Sequence, residues 1–208
     1  MPNKSEREYR AMRMAVRSAQ GEDDAEMTVE GYATTFNQPY VLYEDRDVRV
    51  EEEIDAHAFD ACDMSDVIMQ YDHQGRVFAR NKNGTLAVAA DDHGLKMTAR
   101  LGGTEIGRQL YQEIKGGYTD RMSFGFIVGL DERTVTEDTE SKKRIVRRKI
   151  LKIRKLYDVS AVSIPANDAT VISARSLLDG WIEEAKRSAR AAQRRRLALK
   201  IRLMEGAL

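Results

Sequence analysis

The sequence predicts an α+β protein, a mainly antiparallel sheet with flanking helices and a C-terminal helical tail, in a chain of 208 residues. Three observations carry this. Most of the chain alternates apolar and polar residues with period two, one stretch switches to a spacing of four, and from Ala174 onward the composition turns to alanine, leucine and arginine. The length allows one hydrophobic core plus appended segments. We divide it into residues 1–173 and a basic tail, 174–208.

The elements follow in order. "YRAMRMAVRS" sets Met12, Met14 and Val16 at period two ahead of the turn-like "QGEDDAE". "MTVEGYATTFN" alternates Met27, Val29, Gly31 and Ala33, and Pro39, which cannot donate to a ladder, ends it. "DVIMQYDHQGRVFARN" reads as a strand with Val67, Met69, Tyr71 and His73 on one face, interrupted at "HQG", and "GTLAVAADDHGLKMTARL" as two strands joined at "DDHG". In "TEIGRQLYQEIKGG", Ile106, Leu110 and Ile114 lie four apart, with Thr104 as N-cap and Gly116 and Gly117 as the stop, which predicts a short amphipathic helix. "MSFGFIVGL", the polar "DERTVTEDTESKK" and "RIVRRKILKIRKLYDVSAVSIPAN" form a hairpin with a long polar tip, closed by Pro165 and Asn167. The tail places Leu178, Trp181, Ile182, Ala185 and Ala189 at helical spacing, and then becomes too charged for a core.

Charge and cysteine content exclude several classes of function. Lysine plus arginine and aspartate plus glutamate both number 34, so the domain as a whole does not read as a nucleic-acid binder. The basic residues gather in Ser141–Lys155 and Lys186–Arg202, which are solvated faces by default. Cys62 is alone, which rules out an internal disulfide and suits a reducing compartment. Together with His57, His73 and His93 it shows no metal-ligand spacing, so neither a metal nor another cofactor is expected. The charged start and the lack of a bilayer-length apolar run predict a cytosolic protein without a membrane partner.

Ser123 is the residue with the most chemical interest. In "DRMSFGFIVG", strand alternation points Phe124, Phe126 and Val128 one way and Ser123, Gly125 and Ile127 the other, so Gly125 leaves room beside the hydroxyl for an extended ligand. A serine nucleophile needs a base, usually oriented by a third group. His93 sits in a turn and His57 beside an acidic run, where solvated or capping roles suffice, whereas His73 closes an apolar strand face. Asp72, Asp120 and Asp158 are the available acids; Asp158 lies among Leu156, Tyr157, Val159, Ala161 and Val162 and needs a partner, either a basic residue or a histidine.

The ordered set "EGYATTFNQPY", "IDAHAFD", "MQYDHQGRVFAR", "NGTLAVAADDHGLKMTARL", "TEIGRQLYQEIKGGYTDRMSFGF" and "LYDVSAVSIPAN" resembles the prohead, or capsid maturation, proteases of tailed bacteriophages over roughly Val29 to Ile172. The resemblance implies a barrel-like fold related to the herpesvirus assemblins and a serine endopeptidase in residues 1–173, with His73 as general base, Ser123 as nucleophile and Asp158 as orienting acid. It implies substrate contacts near Arg121, Phe124 and Gly125. Many members carry glutamate where this chain has Asp158, and glycine where it has Arg121. The implied partners are the major capsid protein with its scaffold segment and the chain itself, through autoprocessing or a homo-oligomer, inside a procapsid assembling in the host cytoplasm. The alternative is a non-catalytic assembly protein whose basic hairpin and tail bind acidic partners or nucleic acid.

Overall fold

The structure, a computed structural model, describes residues 7–12, 17–18, 27–163 and 172–205. The expected Met14 and Val16 positions, the "QGEDDAE" turn and the Pro165 stop lie outside the described residues.

The amino-terminal part gives β1 (Glu8–Met12), β2 (Arg17–Ser18) and β3 (Thr28–Thr35), where Val29 and Ala33 point into the core as their spacing requires. Next come β4 (Tyr40–Glu44) and β5 (Val48–Ile54), a pair not anticipated from the acidic "YEDRDVRVEEEID". The two halves of the expected histidine strand are β6 (Ile68–Tyr71) and β7 (Gln74–Arg80). β8 (Leu86–Ala90) and β9 (Gly94–Arg100) form the hairpin expected at "DDHG".

The chain then turns helical in α1 (Glu105–Lys115), where the Thr104 side chain accepts a hydrogen bond from the Gly107 N–H and Leu110, Tyr111 and Ile114 are buried. β10 (Arg121–Glu137) and β11 (Arg144–Val162) follow, and much of the polar stretch assigned to the hairpin tip is strand, leaving residues 138–143 as the turn. Last is α2 (Ile172–Glu205).

These strands make two sheets. One runs β1-β10-β11-β5-β4, with β6 and β7 attached to β11; the other runs β2-β3-β9-β8. The expected barrel-like closure is not seen: the described strands leave open sheet edges. β11 pairs antiparallel with β10 on one side and, on the other, parallel first with β5 and then with β6, while the remaining pairings are antiparallel. One core joins both sheets and α1, built on Phe124, Phe126, Met69, Leu95, Met97, Met122 and Leu156. Phe124 and Phe126, two apart on β10, share the core face and their rings stack 4.5 Å apart, and the ladder shifts register between Gly125 and Phe126.

The first part of the tail packs on the sheet. Leu178, Ile182 and Ala185 are buried against Val48, Val50 and Val146, with Trp181 alongside. Beyond Ala185 no described side chain of α2 is buried.

Between β1, β5 and β11 lies a buried ionic cluster. Arg10 donates to Glu52 and Glu8, Arg148 donates to Glu52, Glu8 and Asp131, and the Tyr40 hydroxyl donates to Glu52. Burial pushes the Glu52 carboxyl up, but Arg10 and Arg148 outweigh it and hold the group well below the usual carboxylate range. A depressed folded-state pKa contributes stability that is present above the unfolded value of about 4.3 and is lost as pH falls below it. Urea midpoints measured from pH 7 to pH 3 should therefore drop below pH 4.5, and Glu52→Gln should flatten the decline. Arg148→Ala strands buried carboxylates and should cost about 3–5 kcal/mol in urea unfolding at pH 7.

Candidate active site

Three neighbouring strands and one turn hold the site. β10 and β11 are registered so that Ser123 faces Ser160 and Gly125 faces Asp158, and β11 is registered on β6 so that Asp158 lies beside Ile68. β6 then runs to Tyr71, which pairs with Gln74 across a two-residue turn formed by Asp72 and His73. The loop of the turn carries the histidine back over β11 towards β10.

That turn is conformationally demanding. Asp72 and His73 have φ of 49° and 59°, the left-handed region that a tight hairpin of this length requires at both central positions and that glycine or asparagine usually fills. Non-glycine residues there cost on the order of 1–3 kcal/mol each, so the surroundings must fix them. Asp72 supplies the anchor: its carboxylate accepts 2.9 Å hydrogen bonds from the Ser163 N–H and hydroxyl, and its own N–H donates to the Ala161 carbonyl at 3.0 Å. Ala161 lies at the end of β11 and Ser163 directly follows it, so the turn is tied to the strand that carries Asp158.

The resulting contacts are continuous. His73 Nε2 lies 2.5 Å from Ser123 Oγ, and His73 Nδ1 lies 2.5 Å from Asp158 Oδ1. The Ser160 hydroxyl donates to the same Oδ1 at 2.8 Å. With Asp158 ionised, Nδ1 carries the proton and Nε2 is left as the acceptor facing the serine. Ser123 and Asp158 are each 1% exposed, while the His73 side chain is 16% exposed.

The remaining sequence candidates fall elsewhere. His57 pairs with Asp60 at 3.1 Å on an exposed loop, and His93 packs edge-on against Tyr32. Asp120 is exposed beside Arg121, whose Nε is 3.4 Å away. Cys62 does not compete as a nucleophile, because burial pushes its thiol up to about 11 and keeps it protonated. Among the described residues no group of histidine, cysteine and acidic side chains could hold a metal ion, and no helix is long and apolar enough to cross a membrane.

At Phe124 and Gly125, two of the expected substrate contacts, the side-chain space is taken up by the chain itself. Phe124 offers no ring to a ligand, since it is fully buried in the core between Phe126 and Phe59. The space left by Gly125 is already filled from within: a Cβ there would stand 2.3 Å from Asp158 Oδ2 and 2.8 Å from the Tyr9 ring. Gly125 is thus the slot that lets the acid sit against β10. Asp158 Oδ2, facing that slot, has no hydrogen-bond partner among the described residues. Two further features lay hidden in the sequence. One is Ser160, whose spacing of two from Asp158 was its only signal; the other is a cavity of about 530 Å³ beside the histidine turn, lined by Tyr71, Gln74, Phe78, Ile106 and Leu110 among others.

A family described as Caudovirus prohead serine protease matches residues 13–180 of the chain, a span that begins directly after β1 and contains His73, Ser123 and Asp158. No curated protein and no solved structure matches the chain.

Gly125→Ala should be more damaging than a one-carbon change suggests, because the new methyl must displace a buried carboxylate, Tyr9 or the strand itself. We expect a loss of about 1–3 kcal/mol in thermal or urea unfolding and a displaced His73 imidazole resonance in the NMR spectrum. An unchanged imidazole environment would show that Gly125 does not set the position of Asp158.

Proposed function

The chain belongs to the Caudovirus prohead serine proteases and is thus a serine protease of phage capsid maturation, and from that premise we propose that Ser123, His73 and Asp158 are its catalytic triad. The observation that carries the proposal is the unbroken line of contacts from Ser123 Oγ through both imidazole nitrogens to a buried carboxylate.

In this reading Ser123 Oγ attacks the carbonyl carbon of the scissile peptide while His73 Nε2 takes the hydroxyl proton. Asp158 holds Nδ1–H through Oδ1 and stabilises the imidazolium that forms, and Ser160 fixes the carboxylate in turn. When the tetrahedral intermediate collapses, the Nε2 proton passes to the leaving amine. Water then repeats the sequence on the acyl-enzyme, with His73 again as base. The cavity between the histidine turn and α1 is suited to an apolar or amphipathic substrate side chain, given Phe78, Ile106 and Leu110 in its wall. The substrates we assign are the scaffold segment of the major capsid protein and the chain itself, cut within the procapsid. Aspartate in place of the longer glutamate is compatible with this role because Gly125 lets Asp158 lie close against β10.

Coexpression with the capsid protein, followed by mass measurement of every fragment, tests the proposal. Ser123→Ala should lose cleavage by on the order of 10⁶-fold while remaining folded. Asp158→Asn should lose about 10⁴-fold, because the amide favours the wrong imidazole tautomer and cannot balance the imidazolium. Processing at the normal rate by Ser123→Ala would overturn the assignment and leave an assembly role without catalysis.

A further inference from the structure

The edge of β10 beside Ser123 is already occupied on both sides. β11 lines one side, and β1 the other, in antiparallel register with Tyr9 opposite Gly125, Arg10 opposite Phe124 and Ala11 opposite Ser123. β1 is short and terminal in its sheet, so it can leave without breaking any other pairing.

We propose that β1 sits in the substrate's seat: the β10 edge receives an extended peptide with an arginine aligned to Arg10, and in the resting chain residues 8–12 fill that seat and hold the site shut. The inference rests on the reading of Ser123 as nucleophile.

The hydroxyl proton supplies the first argument. Ser123 has one, and its Oγ donates to the Arg10 carbonyl at 2.8 Å while also lying 2.5 Å from His73 Nε2. The Arg10 carbonyl and His73 Nε2 are two acceptors within reach of that one proton, so β1 competes directly with the step that activates the nucleophile. Access is the second argument. With β1 in place Ser123 is 1% exposed, and the Tyr9 ring stands edge-on to His73 at 4.3 Å, so no peptide carbonyl can reach Oγ.

The seat also has a specific chemistry. Arg10 presents its fork to Glu52, Nε to Oε1 at 2.5 Å and Nη2 to Oε2 at 2.9 Å, and its guanidinium lies 5.6 Å from the Phe126 ring centroid. Glu52 and Phe126 belong to β5 and β10, so this recognition element remains when β1 departs, and Arg148 and Tyr40 keep Glu52 partnered meanwhile. Tethering supplies the rest: a strand joined to its own site by a short connection acts at an effective concentration on the order of millimolar, enough to exclude weak substrates until β1 is removed or displaced. β1 also precedes the segment matched by the protease family.

The test uses full-length protein and the rate at which a fluorophosphonate labels Ser123, located by peptide mass. Tyr9→Ala/Arg10→Ala should label at least tenfold faster than wild type. A peptide of residues 7–12 added to that variant should slow labelling again, and the same peptide with alanine at the position of Arg10 should not. Equal labelling of wild type and variant at Ser123 overturns the inference and leaves the triad standing. No labelling of Ser123 in either protein overturns the triad and the inference with it. Should the double variant fail to fold, amide hydrogen exchange on wild type decides the matter. β1 amides exchanging at least tenfold faster than those of β11 support a displaceable strand, and equal protection makes β1 a permanent one.

Discussion

Every part of this molecule that could do chemistry is referred to one strand. β11 spans 19 residues, far longer than the usual five or six, and that length lets it hold β10 along one edge while β5 and then β6 share the other. The two parallel neighbours divide the labour. Where β11 meets β5, ionic contacts anchor β1 and an apolar patch anchors α2; where it meets β6, the pairing brings an imidazole over a carboxylate. Ser123, Asp158 and the anchor of the histidine turn are thus fixed by a single backbone ladder rather than by three independent loops, which suits a site whose contacts must hold to a fraction of an ångström.

The price of that arrangement is concentrated in the turn. Placing His73 in left-handed backbone geometry next to Asp72, also left-handed, forgoes the glycine that such a turn prefers. The compensation is local and polar: three hydrogen bonds between Asp72 and two residues at the end of β11 and just beyond it, Ala161 and Ser163. Asp72, one of the three available acids in the sequence, is the clamp that ties the turn to the residues at the end of β11.

Much of this was legible in the sequence, and the gaps have physical causes. Period two gave β3, β6, β8 and β9, and the four-residue spacing with Thr104 gave α1, because each buries one apolar face. β5 was missed because Glu51, Glu52 and Glu53 interrupt the series Val48, Val50, Ile54; the inward position is filled by Glu52, tolerable only because Arg10 and Arg148 come from distant parts of the chain to meet it. Gly125 makes space beside Ser123, and what fills it, Asp158 and the Tyr9 ring, comes from the two neighbouring strands, which sequence order does not reveal. The three residues brought together at the site were legible chiefly through family resemblance, since a lone serine, histidine and aspartate carry little signal until a fold makes them neighbours.

The β10–β11 hairpin works as a caliper. Ser123 and Asp158 lie on opposite jaws, and their alignment depends on the count of residues between each of them and the small irregularities in the ladder that follow Gly125. Adding or removing one residue in either jaw would turn a side chain to the opposite face. The same change in the turn at residues 138–143 leaves the jaws untouched. A change in length is accordingly tolerated at the hairpin's far end, so the spacing from serine to acid can change there while the positions of Ser123 near the start of β10 and of Asp158 near the end of β11 cannot.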